Sequence, residues 1–180
     1  MIELVIGGAR SGKSSFAERQ ALATGLGVAY IATGEARDAE MAQRIAHHRA
    51  RRPAGWRTVE EPLALADTLR REAAEGTCLL VDCLTLWLTN LLLADRETEI
   101  DALLATLPTL PGRIILVSNE VGWGIVPENA LARRFRDEQG RLNQQVAALA
   151  GRVTLVAAGL PLALKSPDVS DRPARNWSCG

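Results

Sequence analysis

Short runs of Val, Ile and Leu recur along the chain, separated by longer segments in which apolar residues return every three or four positions. The first pattern predicts strands covered on both faces, and the second predicts helices with one apolar stripe. Strands are expected near Leu4 to Ile6, Val28 to Ala32, Leu79 to Val81, Ile114 to Val117 and Val153 to Ala157, with sheet edges at Arg57 to Glu60 and Leu162 to Lys165. Helices are expected over Lys13 to Ala23, Asp38 to Arg51, Leu63 to Glu75, Thr85 to Ala94, Glu97 to Leu107 and Asn129 to Ala150. This alternation predicts an α/β fold, a mostly parallel sheet with helices on both faces. The pattern stops after Lys165. Residues 1–165 are therefore expected to form one domain, and 166–180, with Pro167, Pro173, Asp168 and Asp171 but no periodicity, a disordered tail.

Composition narrows the classes of function. A chain of 180 residues, 47% of them hydrophobic, can bury a sizeable core around one sheet. Lys plus Arg equals Asp plus Glu at 21 each, so no global field favours nucleic acid or an anionic membrane. The longest apolar stretch, Leu84 to Ala94, is broken by Thr85, Thr89 and Asn90 and is too short to span a bilayer. Met1 to Ile6 leads straight into a Gly-rich loop and reads as a core strand, not as a signal. Cys78, Cys83 and Cys179 have no metal-ligand spacing and are odd in number. A soluble protein of the reducing cytoplasm is expected, with Cys78 and Cys83 as small core residues.

The loop Gly7-Gly8-Ala9-Arg10-Ser11-Gly12-Lys13-Ser14 follows a strand and opens a helix, the context of a P-loop. Its glycines let successive N–H groups turn toward phosphate oxygens, Lys13 supplies a compact cation for the terminal phosphates, and Ser14 offers a hydroxyl to Mg²⁺. A second apolar strand, Leu79-Leu80-Val81, ends in Asp82. That carboxylate either meets the metal, directly or through water, or caps the helix that follows.

Two histidines, His47 and His48, are adjacent on a predicted helix, where neighbours point about 100° apart. Helical spacing aligns His48 with Met41 and Ile45 on the apolar stripe, and His47 with Glu40, Arg44 and Arg51 on the polar one. His47 is thus the better placed for chemistry: nucleophilic attack on phosphorus, binding of phosphate, or only a place on a solvated basic face. Two more polar stretches stand out. Ser118 to Asn129 leaves the C-terminal end of a strand, where ligand crevices form in such sheets, and is read as a site loop through Glu120 or as a structural turn with a helix cap. Arg133 to Asn143 carries mixed charge on a helix, the mark of a solvated face, or of a surface for an anionic or amide-rich ligand.

Taken together, these segments resemble the bifunctional adenosylcobinamide kinase and adenosylcobinamide-phosphate guanylyltransferase family of cobalamin biosynthesis. The resemblance rests on the P-loop, Tyr30-Ile31-Ala32-Thr33, Glu40-Met41 through Arg44-Ile45 to His47-His48, and Arg52-Pro53 with Trp56-Arg57-Thr58. It continues through Asp82-Cys83-Leu84-Thr85 with Thr89-Asn90, Asn119-Glu120-Val121-Gly122, Gly124 to Glu128, and Gly140-Arg141-Leu142-Asn143, so that it spans Ile2 to about Lys165.

The resemblance implies a RecA-like P-loop fold and two reactions. Adenosylcobinamide is phosphorylated with ATP or GTP, and GMP then passes from GTP to that phosphate through a guanylylated histidine, here His47, with release of pyrophosphate. It also implies nucleotide contacts at Gly7, Gly8, Ala9, Arg10, Ser11, Gly12, Lys13 and Ser14, at Thr33, Gly34 and Glu35, at Arg49, Ala50, Arg51 and Arg52, and at Glu60 and Asp82. Ser14 and Asp82 would hold Mg²⁺. The implied partners are a corrinoid substrate and other copies of the chain, as a trimer, for which the apolar Leu84 to Leu93 helix is one candidate contact unless it is internal core.

Overall fold

The computed structural model describes residues 1–36, 39, 42, 43, 46, 53 and 55–167. The elements in chain order are β1 (Ile2–Gly7), α1 (Lys13–Ala23), β2 (Gly27–Ala32), β3 (Arg57–Glu60), α2 (Leu65–Glu72), β4 (Thr77–Asp82), α3 (Leu84–Ala94), α4 (Thr98–Thr106), β5 (Arg113–Asn119), α5 (Ala130–Leu149), β6 (Arg152–Ala157) and β7 (Leu160–Lys165). All seven expected strands form, and α1 has the expected ends. The expected helix from Asp38 to Arg51 lies largely outside the described residues; Ala39, Ala42, Gln43 and Ala46, which are described, are helical.

The strands form one sheet in the order β3-β2-β4-β5-β1-β6-β7. Every neighbouring pair is parallel except β6 with β7, giving the expected mostly parallel sheet. One strand, β5, therefore separates the P-loop strand β1 from β4, which carries Asp82. Helix α2 is shorter than the apolar pattern predicts. At its start the Glu61 carboxylate accepts the N–H groups of Leu63 and Ala64, holding them in a turn ahead of the helix. At its end Ala73 turns extended, with ψ 130°.

The pleat sorts strand residues onto two faces. Val5, Val28, Tyr30, Cys78, Leu80, Ile115 and Val117 lie under α1, whose Ala17 and Ala21 allow close approach. Leu4, Ile6, Ile31, Leu79, Val81, Ile114 and Leu116 lie under α3, α4 and α5. Helix α3 is core: Leu84, Trp87, Leu88 and Leu91 have no exposed surface, and the indole of Trp87 donates to the Leu63 carbonyl at 2.8 Å. Burial of each such side chain contributes roughly 1.5–3 kcal/mol, so this surface is committed within the chain, with Leu93 and Ala94 exposed at its end and Leu86 and Thr89 half-buried. A buried charge sits at the other end of the sheet, where Glu3 of β1 is wholly enclosed and accepts from the Arg113 guanidinium of β5 at 2.7 Å. Among the described residues no helix is long and apolar enough to cross a membrane.

Candidate active site

The P-loop connects β1 to α1 at the C-terminal edge of the sheet. Two glycines are obligatory there for different reasons. A β-carbon on Gly7 would lie 2.4 Å from the Val156 carbonyl oxygen and 2.6 Å from Ser11 Oγ. Gly12, at the N-cap of α1, has φ 93°, a left-handed conformation that side chains resist. Arg10 also takes positive φ, at 56°, so the loop doubles back over itself. The Ser11 carbonyl accepts from Gly159 in the β6–β7 turn at 2.8 Å, and the Gly7 carbonyl from Glu120 at 3.1 Å. The loop is thereby clamped from both flanking strands.

Lys13 folds back across the loop and donates to the Gly8 carbonyl at 3.2 Å. Ser14, one residue on, has its hydroxyl 3.5 Å from Asp82 Oδ1. The second carboxylate oxygen of Asp82 accepts from the Tyr30 hydroxyl at 2.7 Å. Serine hydroxyl and carboxylate thus converge from the start of α1 and the end of β4, forming an all-oxygen pair suited to Mg²⁺, which takes few protein ligands and fills its shell with water and phosphate oxygens. The N-cap position of α3 falls on Cys83, not on Asp82.

Behind Asp82 lies a second polar layer. The Thr33 hydroxyl donates to the Cys83 carbonyl at 2.7 Å and accepts from the Cys83 N–H at 2.9 Å. Asn90 of α3 donates to the carbonyls of Thr33 and Pro62 at 2.8 and 3.2 Å. These bonds tie the ends of β2 and β4 together and fix the backbone that carries Thr33, Gly34, Glu35 and Asp82. Thr33 is buried, Gly34 half-buried and Glu35 exposed.

Glu60 and Glu61 separate clearly. Glu61 is committed to the start of α2, where Leu63, Ala64 and Thr68 all donate to its carboxylate. Glu60 ends β3 in register with Ala32 and is exposed at the crevice edge of the sheet. His47 and the Arg49 to Arg52 run lie outside the described residues.

Both polar stretches noted in the sequence have structural work to do. Asn129 caps α5, accepting from Leu131 and Ala132, and Arg133 donates to the carbonyls of Pro127 and Glu128. Glu120 accepts from the Gly122 N–H at 2.9 Å. Along α5, Arg134 pairs with Glu97, Arg136 with Asp137 and Arg141 with Glu138, a solvated charged face. Hidden on the same helix, Gln139 and Asn143 point inward instead and bond the buried Ser118 hydroxyl. Residue patterns gave no role to Tyr30 and Asn90, which entered only with the segments that carry the family resemblance, and they marked Ser118 and Asn143 only as ends of the two polar stretches.

The two described cysteines are buried and free. Burial pushes each thiol up to about 11, with the Asp82 carboxylate adding to the effect at Cys83 and Arg113 and Thr24 opposing part of it at Cys78. Because the folded value lies above the unfolded one, the stabilisation is complete below pH 9 and is lost as pH rises through 11. A shift of this size corresponds to about 2–3 kcal/mol per thiol. Urea unfolding at pH 8 and pH 11 should show the wild type losing about that much more stability than Cys78→Ala; equal losses would contradict the assignment.

A model of the family described as cobinamide kinase / cobinamide phosphate guanyltransferase matches residues 3–164. The chain is 63% identical over 169 residues to the bifunctional adenosylcobalamin biosynthesis protein CobP of Pseudomonas aeruginosa, covering 92% of this chain and 98% of that one. It is 43% identical over 182 residues to the bifunctional adenosylcobalamin biosynthesis protein CobU of Escherichia coli, covering 92% of this chain and 100% of that one. Among solved structures, the flagellar accessory protein FlaH from Methanocaldococcus jannaschii is similar at a TM-score of 0.56 and 14% identity, over 92% of this chain and 78% of that one, a likeness of fold alone. With the family pattern matched from the first strand to the last and the P-loop geometry in place, this chain belongs to the cobinamide kinase / cobinamide phosphate guanyltransferase family.

Proposed function

We propose that the protein phosphorylates adenosylcobinamide with ATP or GTP and then transfers GMP from GTP to adenosylcobinamide phosphate, giving adenosylcobinamide-GDP and pyrophosphate. The observation that carries this reading is the convergence of Lys13, Ser14 and Asp82 at a clamped P-loop within a chain of this family.

In the kinase step the loop N–H groups and Lys13 hold the terminal phosphates, while Ser14 and Asp82 hold Mg²⁺, with Tyr30 fixing the Asp82 carboxylate. The ion supplies charge neutralisation on the phosphate oxygens. In the second step His47 attacks the α-phosphorus of GTP, pyrophosphate leaves, and the corrinoid phosphate displaces His47 from the GMP. Arg49, Arg51 and Arg52 are assigned to the nucleotide in that step, together with Thr33, Gly34, Glu35 and Glu60. The face argument and the family resemblance support His47 independently, and the resemblance alone supports the other positions. The fold from residue 1 to 165 is taken as the whole catalytic domain, acting in the cytoplasm as a homo-oligomer.

The test is conversion of adenosylcobinamide by the purified protein with Mg²⁺ and GTP, followed by mass spectrometry. Successive appearance of the phosphate ester and the GDP derivative is expected. Absence of both products would refute the proposal, and the ester alone would leave a plain corrinoid kinase.

A further inference from the structure

The site just described uses β1, β2 and β4, yet the strand between β1 and β4 also ends at the phosphate edge. Its last residue is Asn119, in register with Gly7 of the P-loop strand. On the other side, Val117 is in register with Asp82. Alternation along β5 puts Asn119 on the same face as Ile115 and Val117, the face covered by α1. Cys78, Leu80 and then Asp82 alternate onto that face of β4 as well. Asn119 therefore stands between the P-loop and Asp82, on the side where Lys13 and Ser14 begin α1.

Its backbone is held with unusual care. The N–H donates to the Thr85 hydroxyl at 2.8 Å, the carbonyl accepts from Asn143 at 3.1 Å, and the next residue, Glu120, donates to Gly7 at 3.1 Å. Three elements, α3, α5 and β1, thus fix this strand end. The side chain is a different matter: Asn119 Oδ1 is buried without a hydrogen-bond partner, while the residue as a whole is only half-buried at the strand end. Burying an amide oxygen unpaired is costly and calls for an explanation, and on a fixed backbone beside the phosphate loop a ligand is the partner that supplies one. Ser118, its neighbour, shows the contrast, because on the opposite face its hydroxyl is bonded to both Asn143 and Gln139.

Resting on the proposed kinase reaction, we infer that Asn119 is a catalytic residue of the phosphoryl-transfer step. Its NH₂ group donates to an oxygen of the γ-phosphate, and its carbonyl accepts from the acceptor hydroxyl. In that step the acceptor oxygen bonds to the γ-phosphorus, and the bond from that phosphorus to the bridging oxygen breaks with its electron pair leaving on the nucleoside diphosphate. The hydroxyl proton is released to water. The amide takes no proton; it aligns nucleophile and phosphorus, the part of catalysis that positioning supplies. Such a group distinguishes the two reactions, since the γ-phosphorus is attacked only in the first.

Two readouts test this. Binding of GDP and of a GTP analogue with an imido β–γ bridge is measured by calorimetry for wild type, Asn119→Ala and Asn119→Asp. The preference for the triphosphate should fall about tenfold in Asn119→Ala and further in Asn119→Asp, whose carboxylate repels the γ-phosphate. Kinase kcat should fall about 100-fold in both with the acceptor KM within about threefold, while the kcat of guanylyl transfer to ready-made adenosylcobinamide phosphate, measured at saturating GTP, falls by no more than about threefold. An unchanged triphosphate preference, or equal loss of both reactions, would overturn the inference. The binding arm needs no corrinoid. A wild type inactive toward adenosylcobinamide would thus count against the functional proposal, while the inference is judged on the binding ratio.

Discussion

Lys13→Ala is expected to slow phosphorylation of adenosylcobinamide by about 10²–10³-fold, with the corrinoid KM nearly unchanged. The Lys13 side chain lies back over the loop, within hydrogen-bond reach of the Gly8 carbonyl, so its charge is held above the backbone N–H groups that cradle phosphate. Charge accumulates on the transferred group and on the leaving diphosphate in the transition state, and a fixed donor aimed at such charge contributes about 3–4 kcal/mol. Removing the cation leaves the loop intact, because Gly7, Ser11 and Gly12 are held by backbone bonds and not by Lys13. Arginine should not rescue the loss, since a planar guanidinium does not fit the position of a compact ammonium. Steady-state kinetics with circular dichroism as a folding check would decide it; undiminished turnover in Lys13→Ala would contradict the role given to the loop.

Asp82→Asn should reduce both reactions by about 100-fold at low Mg²⁺ and recover in part as Mg²⁺ is raised. The substitution keeps the shape and leaves a carbonyl for the Tyr30 hydroxyl, but it removes the charge that Mg²⁺ requires. Tyr30→Phe serves as the graded control. It deletes one hydrogen bond to a carboxylate, worth about 1.5–3 kcal/mol at most, and leaves the carboxylate in place beside Ser14. A loss of about tenfold, without the Mg²⁺ dependence of the Asp82 variant, is expected. Equal Mg²⁺ titrations for wild type and Asp82→Asn would remove Asp82 from the metal site.

The difference between these two variants marks what residue patterns can convey. Lys13 and Asp82 were legible because each is a polar residue forced onto the end of an apolar strand or the start of a helix, where local sequence alone demands a reason. Tyr30 carried no such signal: one aromatic in a buried strand looks like core, and its bond to Asp82 spans 52 positions. The same holds for Glu3, whose partner Arg113 is 110 positions away. Helix α3 was undecided for a related reason, since a helix apolar on most sides suits a core and a subunit contact equally. Its neighbours in space settle it, with Trp87 enclosed between the sheet and the Leu63 carbonyl. On α5 the charged residues advertised a solvated face and concealed Gln139 and Asn143 among them, because a buried amide and an exposed one are spelled alike. Asn119 was visible as a polar residue beyond a strand, but the sequence held no sign that its side-chain oxygen would be enclosed and left without a partner.

The pairing of two reactions at one P-loop rests on His47, placed on the polar stripe of its helix by spacing and named by the family resemblance. The most direct measurement is incubation of the protein with GTP labelled at the α-phosphate, before any corrinoid is added. Wild type should acquire an acid-labile, base-stable label, His47→Asn should acquire none, and adding adenosylcobinamide phosphate should discharge the label into adenosylcobinamide-GDP. Label that survives His47→Asn, or that never appears on the wild type, would contradict the covalent guanylyl transfer proposed for this chain.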